Sequence, residues 1–170
     1  MHKTGSLAVG KESVSGENAT AVGDKAKAGG YKAAALGYDS AASGLSATAL
    51  GGESKAEALR SVAVGFRAHA KGTNDVAVGG AAAASGGQSV AVGLLSKASA
   101  LRAVAVGNGA QASNIDAVAI GRDSEADALS ATALGDRAKA RGTQSLALAS
   151  AAEAEGYQAV AVGTRAVSNA

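Results

Sequence analysis

Ser61-Val62-Ala63-Val64-Gly65 is the stretch that decides the fold, and it returns almost unchanged as Ser89-Val90-Ala91-Val92-Gly93. Looser copies run from end to end of the chain, and their closing glycines recur at one fixed interval. Two departures are visible: the repeat between Gly10 and Gly23 is shortened by a single residue, and Ala149 stands where a glycine is due. A fixed period over the whole length predicts a repeat architecture, in which each repeat stacks on the next.

Within a repeat, positions are counted from the closing glycine as position 0. Position −2 is alanine in all twelve copies, position −1 is Val, Leu or Ile, and positions +3 and +5 are Ala or Ser. The Val-Ala-Val triplets alternate with a period of two, as β-strands do. Interior glycines disfavour a helix by about 1 kcal/mol each. Each repeat therefore predicts strand, turn, strand, turn, with strands of about five residues.

Two strands per coil, stacked coil on coil, predict an all-β parallel β-roll. About twelve 14-residue coils at about 4.8 Å each give a solenoid roughly 55 Å long. Residues 1–170 are interpreted as a single repeat domain and as a piece of a longer protein. Residues 1–5 are expected to be an irregular start, since Met1-His2 looks like an addition.

The composition excludes several functional classes. Apolar residues make up 47% of the chain but are mostly alanine, aromatics make up 2%, and cysteine is absent. The core must therefore be thin, and neither a disulfide framework nor thiol chemistry is available. The net charge is +2, with both signs mixed along the chain, which does not resemble a nucleic-acid patch or a polybasic anchor. No apolar run reaches about 18 residues, so no spanning helix is predicted.

The two strands of a repeat differ in where they meet water. In the second strand, positions +4 and +6 vary freely and carry charge, so one face is solvated. In the first strand neither face varies in that way, and such strands are normally buried on both faces. A two-stranded roll covers only one of them, so a cyclic homo-oligomer is the simplest cover for the other. We expect the aliphatic residues at −3 and −1 to point into the roll and the small residues to face the oligomer axis.

Two sets of apolar residues are candidate interaction sites. A ladder of apolar residues at position +8 is expected to lie against the adjacent subunit, because an exposed apolar ladder of this length would promote association. The alternative is that these are partly exposed turn residues. The ladder consists of Tyr31, Leu45, Leu59, Leu101, Ile115, Leu129 and Tyr157. Candidate ligand contacts in the first turn, with packing against a neighbouring subunit as their alternative, are Tyr38, Phe66, Leu94 and Leu95.

Residues for catalysis are scarce. The two histidines, His2 and His69, are far apart, so neither a catalytic triad nor a metal cluster is predicted. No phosphate-binding loop of the G-x-x-x-x-G-K-[ST] type occurs. The sequence thus predicts no enzyme, no metal and no cofactor. The charged residues instead predict ladders in which the sign alternates from coil to coil. The alternative is a solvated face with no structural role. The ladders comprise Glu125, Lys139 and Glu153 at +4 and Asp127, Arg141 and Glu155 at +6.

The array of S-V-A-V-G, two residues, then Ala/Ser-x-Ala-x-Gly resembles the YadA-like head repeat of trimeric autotransporter adhesins, over about residues 6–168. The resemblance implies a left-handed β-roll assembled as a homotrimer. It also implies non-enzymatic adhesion at a bacterial outer surface, reached by an autotransporter route. The partners it implies are host matrix proteins of the collagen, fibronectin or laminin class, or host cells, without nucleic acid. Membrane contact would come only through a C-terminal anchor that this sequence does not include.

Departures from the repeat carry expectations of their own. Gly16 falls where one residue is missing, which predicts an irregular first coil. The turn at Ala149 should avoid a positive φ or carry strain. Two rival functions are an acyltransferase-type enzyme on a left-handed β-helix, which needs an 18-residue coil and a catalytic histidine, and an ice-binding solenoid. The second needs a flat threonine array, and Thr20, Thr48 and Thr132 are too sparse.

Overall fold

The computed structural model describes residues 5–169, which wind into a parallel β-roll with no helix among them. Strands alternate between two twelve-stranded sheets, and every pairing is parallel to the strand one coil away. Ala77, for example, pairs with Ala63 on one side and with Ala91 on the other. Two strands per 14-residue coil are therefore confirmed. Residues 1–4 of the expected irregular start lie outside the described residues.

The first sheet holds the strands that precede the closing glycines: β1 (Leu7–Val9), β3 (Thr20–Val22), β5 (Ala34–Leu36), β7 (Thr48–Leu50), β9 (Val62–Val64), β11 (Val76–Val78), β13 (Val90–Val92), β15 (Val104–Val106), β17 (Val118–Ile120), β19 (Thr132–Leu134), β21 (Leu146–Leu148) and β23 (Val160–Val162). The second sheet holds β2 (Val14–Ser15), β4 (Lys27–Ala28), β6 (Ala41–Ala42), β8 (Lys55–Ala56), β10 (His69–Ala70), β12 (Ala83–Ala84), β14 (Lys97–Ala98), β16 (Gln111–Ala112), β18 (Glu125–Ala126), β20 (Lys139–Ala140), β22 (Glu153–Ala154) and β24 (Val167–Ser168).

The strands have three residues in the first sheet and two in the second, so the predicted length of about five was wrong. Two tight turns take up the rest of each coil. In one of them the N–H of Ala26 donates to the Gly23 carbonyl over 3.1 Å, and Lys25 between them has φ 61°. The second turn of the coil is closed in the same way. A positive φ at the third residue is the geometry of a type II turn.

The interior of the roll is lined by alanine and serine, and every buried hydrophobic residue in the described part of the chain is alanine. In β9 the central Ala63 is fully buried, whereas Val62 and Val64 on either side are partly exposed. The aliphatic residues at −3 and −1 thus point outward, and the expectation that they point inward was wrong. Apart from the Asp75 side chain, the two sheets are separated by methyl and hydroxymethyl groups, and such a layer leaves no room for Val or Leu.

The residue missing from the first coil is absorbed in one turn. Ala8 pairs with Ala21 as in the other coils. Gly16 is buried like the usual +7 glycine, and Asn18 two residues later has the positive φ of the turn. The irregularity predicted for the first coil is therefore confined to position +6.

The closing glycines hold a backbone conformation that side chains rarely adopt. Gly65 has φ 129°, and a Cβ there would lie 2.6 Å from the carbonyl oxygen of Gly79 in the next coil. Ala149 occupies the equivalent place with φ 110°. Of the two outcomes predicted for this turn, the positive φ and its strain are found.

We expect Ala149→Gly to raise the free energy of unfolding by about 1 kcal/mol. Relief of the strained φ contributes about 1–3 kcal/mol, and the greater chain entropy of unfolded glycine offsets about 0.5–1 kcal/mol of it. Urea unfolding measures the change. Ala41→Gly in β6 has no positive φ to relieve and should lose about 0.5–1 kcal/mol. Equal losses for both variants would mean that Ala149 stores no strain.

Candidate functional site

The outward face of the first sheet is a long aliphatic surface. Positions −3 and −1 flank the buried alanine in every coil and carry no charged residue in any of the twelve copies. They stand in register, so that Val64 lies beside Val78 and Val78 beside Val92. In the isolated chain Leu50 and Ile120 are 44% and 41% exposed. An uncharged surface of this extent marks an interaction site.

The ladder predicted at +8 lies along the edge where the second turn leads into the first sheet. Six of its residues are exposed and Leu59 is half-buried. Thr73, Gly87 and Thr143 interrupt it. The fold therefore places the seven residues in one column beside the aliphatic face, while their contact with a neighbouring subunit stays a prediction.

The four candidate ligand contacts lie on the opposite edge, in the turn after the first sheet. Tyr38, Phe66, Leu94 and Leu95 are all exposed by more than half. The Phe66 ring leans over the glycine of the preceding coil: a Cβ on Gly52 would lie 3.5 Å from it. Together they form an exposed apolar strip, in which the Arg67 guanidinium carbon lies 4.7 Å from the Phe66 ring centroid and the Lys25 ammonium 5.8 Å from that of Tyr38. Whether a ligand or a subunit contacts the strip stays a prediction.

The outward face of the second sheet carries the charge ladders. Near the C-terminal end, the ammonium of Lys139 lies 3.5 Å from Glu153, and Arg141 lies 3.6 Å from Glu155, as predicted. Glu125 pairs diagonally with Arg141, at 3.2 Å, instead of with Lys139 directly opposite. These pairs are largely solvated, so each contributes about 0.2–1 kcal/mol.

Further ion pairs join successive turns, and sequence reasoning missed them. Arg102 donates to both carboxylate oxygens of Asp116, at 2.5 and 2.6 Å, and Arg122 donates to Asp136 at 2.7 Å. Hydrogen bonding from these guanidinium groups lowers the pKa of the Asp116 and Asp136 carboxyls. The two partners of each pair are separated by one full repeat, and that spacing was the available signal.

Asp75 is the largest fully buried side chain in the described part of the chain. It occupies position −4, where the other coils have Ala or Ser. One carboxylate oxygen accepts from the Gly72 N–H over 2.6 Å, and the other accepts from the N–H and the hydroxyl of Ser89, both over 2.8 Å. Because Ser89 belongs to the next coil, Asp75 clamps two coils together. Its charge at −4 was the signal that sequence reasoning overlooked.

We expect Asp75→Ala to lower the free energy of unfolding by about 3 kcal/mol, because it leaves two buried donors of Ser89 and the part-buried Gly72 N–H without an acceptor. Ser61→Ala is the matched control at the same position, where the hydroxyl makes one 2.7 Å bond to the Ala58 carbonyl. That variant should lose about 1 kcal/mol. Urea unfolding at neutral pH compares the two. Losses of the same size would show that the carboxylate adds nothing beyond a serine.

A polar pocket of about 270 Å³ beside the second sheet is lined by Asp39, Glu53, Lys55, Arg67, Ala68 and His69. The Nε2 of His69 lies 2.9 Å from a Glu57 carboxylate oxygen, outside hydrogen-bonding geometry. Among residues 5–169, no three side chains of His, Cys, Asp or Glu converge on a metal site. That same range includes no helix long and apolar enough to cross a membrane.

The chain matches a known family model and resembles a solved structure. The family model for the YadA head domain repeat matches residues 15–40, 42–68, 70–96, 98–124 and 126–148, well over half of the chain. The crystal structure of the collagen-binding domain of the Yersinia adhesin YadA aligns with 96% of this chain and 79% of that chain. The sequence identity is 21% and the TM-score 0.43. No curated protein matches the chain.

Proposed function

This chain belongs to the YadA head domain repeat family, and we propose from that membership that it is a non-enzymatic adhesion module of a bacterial cell surface. Its targets would be host matrix proteins of the collagen, fibronectin or laminin class, or host cells. The observation that carries the proposal is the family's repeat, matched in five successive segments. The short coil also argues against the acyltransferase alternative, which needs a longer one.

We propose further that three copies assemble around a common axis with their aliphatic faces inward. The support is a face without charge, in register over twelve coils, on a roll in whose described interior every buried hydrophobic residue is alanine. Strands of the first sheet would run around the axis. In such a closed ring the +8 ladder of one copy meets the first-turn edge of the next. The number three and the left-handed winding come from the family resemblance.

A trimeric rod displays every surface patch three times at fixed spacing. Weak contacts to a repetitive matrix fibre then reinforce one another, and avidity can exceed single-site affinity by about 10²–10⁴. The rod contributes rigidity and repetition, so neither a deep pocket nor a catalytic group is needed.

Light scattering on the purified chain tests the assembly, and surface binding tests the adhesion. We expect a mass of three times 16.1 kDa and saturable binding to at least one of immobilised collagen, fibronectin and laminin or to cultured host cells. A folded monomer would contradict the trimer. A folded trimer that binds none of these surfaces would contradict the adhesive function.

The first-turn strip has two proposed roles, ligand contact and subunit packing, and Leu94→Asp with Leu95→Asp separates them. Loss of matrix binding by an intact trimer would assign the strip to the ligand, whereas loss of the trimer would assign it to subunit packing. Unchanged mass and binding would exclude both. Ser150→Asp with Ala151→Asp is the matched control, since Ala151 shares the positive φ of Leu95, 55° against 59°.

A further inference from the structure

On the outward face of the second sheet, the sign of the charge differs between the two parts of the rod. The linear sequence does not show this. Position +4 forms one column in which each residue pairs with the next, one coil away. From the N-terminal side the column consists of Lys27, Ala41, Lys55, His69, Ala83 and Lys97. The three lysines are exposed. Three ammonium groups thus stand in a row, separated by alanine and histidine side chains.

The neighbouring column at position +6 adds to the positive charge of this segment. Lys71 adds a fourth exposed ammonium, and Glu57 is the one carboxylate at +4 or +6 between positions 27 and 99 of the sequence. Every other residue at position +6 in that segment is Gly or Ser. Further along, four carboxylates face two cations at the same positions; these are Glu125, Asp127, Glu153 and Glu155 against Lys139 and Arg141. The rod therefore has a basic part and an acidic part.

The four lysines of the basic part differ from the cations further along in being unpaired. Within residues 5–169, no carboxylate lies within 4.0 Å of the ammonium of Lys27, Lys55, Lys71 or Lys97. Lys139, by contrast, is held by Glu153. The basic part therefore offers four ammonium groups that form no ion pair with a described carboxylate.

We propose that this lysine column binds a linear sulfated polysaccharide lying along the rod. Lys27 and Lys55 are two coils apart, about 9.6 Å, and Lys55 and Lys97 are three coils apart, about 14.4 Å. The sheet fixes these spacings, and Ala41 and Ala83 between the lysines leave room for a chain to lie close to the surface. A stiff polyanion with regularly spaced charges loses little conformational entropy when it binds along such a row. A flexible acidic peptide would lose more, because it would have to become extended. Lysine holds a sulfate as a point charge and demands no bidentate geometry.

This inference rests on the proposed adhesive function and names the class of matrix component that the second sheet would contact. In the proposed trimer the second sheet faces away from the axis, so three columns are displayed at once. Every contact is between exposed charges, so binding should weaken as salt rises.

Heparin oligosaccharide is the probe. The intact trimer is expected to bind it at about 0.15 M NaCl and to release it at higher salt. Lys27→Ser, Lys55→Ser and Lys97→Ser together should weaken binding about tenfold or more. The control removes the same charge from the turns, with Lys11→Ser, Lys25→Ser and Lys32→Ser, and should stay within about twofold of wild type.

No binding by the wild type, or equal losses in both triple variants, would overturn the proposal. Equal binding of desulfated heparin, polyglutamate or duplex DNA would overturn the assignment to a sulfated glycan. Mass and binding to matrix proteins are measured on the same samples. An intact trimer that binds matrix protein but not heparin contradicts this inference alone. Loss of the trimer, or of all adhesion, contradicts the proposed function instead.

Discussion

Val92→Asp is expected to dissociate the assembly into monomers that are largely unfolded at 25 °C. Val92 sits at position −1 in a central coil, on the outward face of the first sheet, beside Val78 and Val106. In the proposed ring the substitution places one carboxylate from each copy in an apolar environment. An unpaired buried charge costs about 3–5 kcal/mol, so three of them destabilise the ring by about 9–15 kcal/mol.

The monomer has little with which to compensate. Its interior is alanine and serine, and each buried methyl contributes only about 0.8 kcal/mol against about 1–2 kcal/mol of backbone entropy per ordered residue. Light scattering reports the mass and far-UV circular dichroism the strand content. Ala83→Asp, on the outward face of the second sheet, is the control and should leave both unchanged. A folded trimer of the Val92 variant would contradict the burial of this face.

Gly65→Val is expected to lower the free energy of unfolding by more than about 4 kcal/mol, or to prevent folding. Gly65 has φ 129°, a conformation that costs an ordinary side chain about 1–3 kcal/mol and a β-branched one more. Its Cβ would also lie 2.6 Å from the backbone of the next coil, which has no flexible side chain to move aside.

Gly29→Val supplies the matched comparison. Gly29 has no positive φ, and a Cβ there would have no heavy atom within 4 Å. Thermal and urea unfolding should place this variant within about 1 kcal/mol of wild type. If Gly65→Val and Gly29→Val unfolded at similar temperatures and urea concentrations, the closing position would not require glycine.

The repeat period made the architecture predictable, because hydrogen bonds between coils impose one spacing on every residue type. Alternation at −3 to −1 and the glycine at 0 placed strands and turns in the correct residues. Strand length was overestimated because the two turns consume more of the coil than periodicity reveals.

The side-chain orientation of the first strand was predicted wrongly, and the reason is physical. Hydrophobicity alone favours burial of Val62 and Val64 over Ala63, but the space between the sheets decides, and that space fits only a methyl group. The lysine column was not visible in the sequence either, because Lys27, Lys55 and Lys97 come into one column only when the chain winds into coils. Asp75 was visible as an exception at −4, yet its partner in the next coil was not.

Each coil touches only the coils before and after it, in unbroken register. Insertion or loss of whole 14-residue units therefore leaves the cross-section intact and changes the reach by about 4.8 Å per unit. The head is thus a molecular ruler, whose length evolution can reset in fixed increments while every contact within a unit is retained.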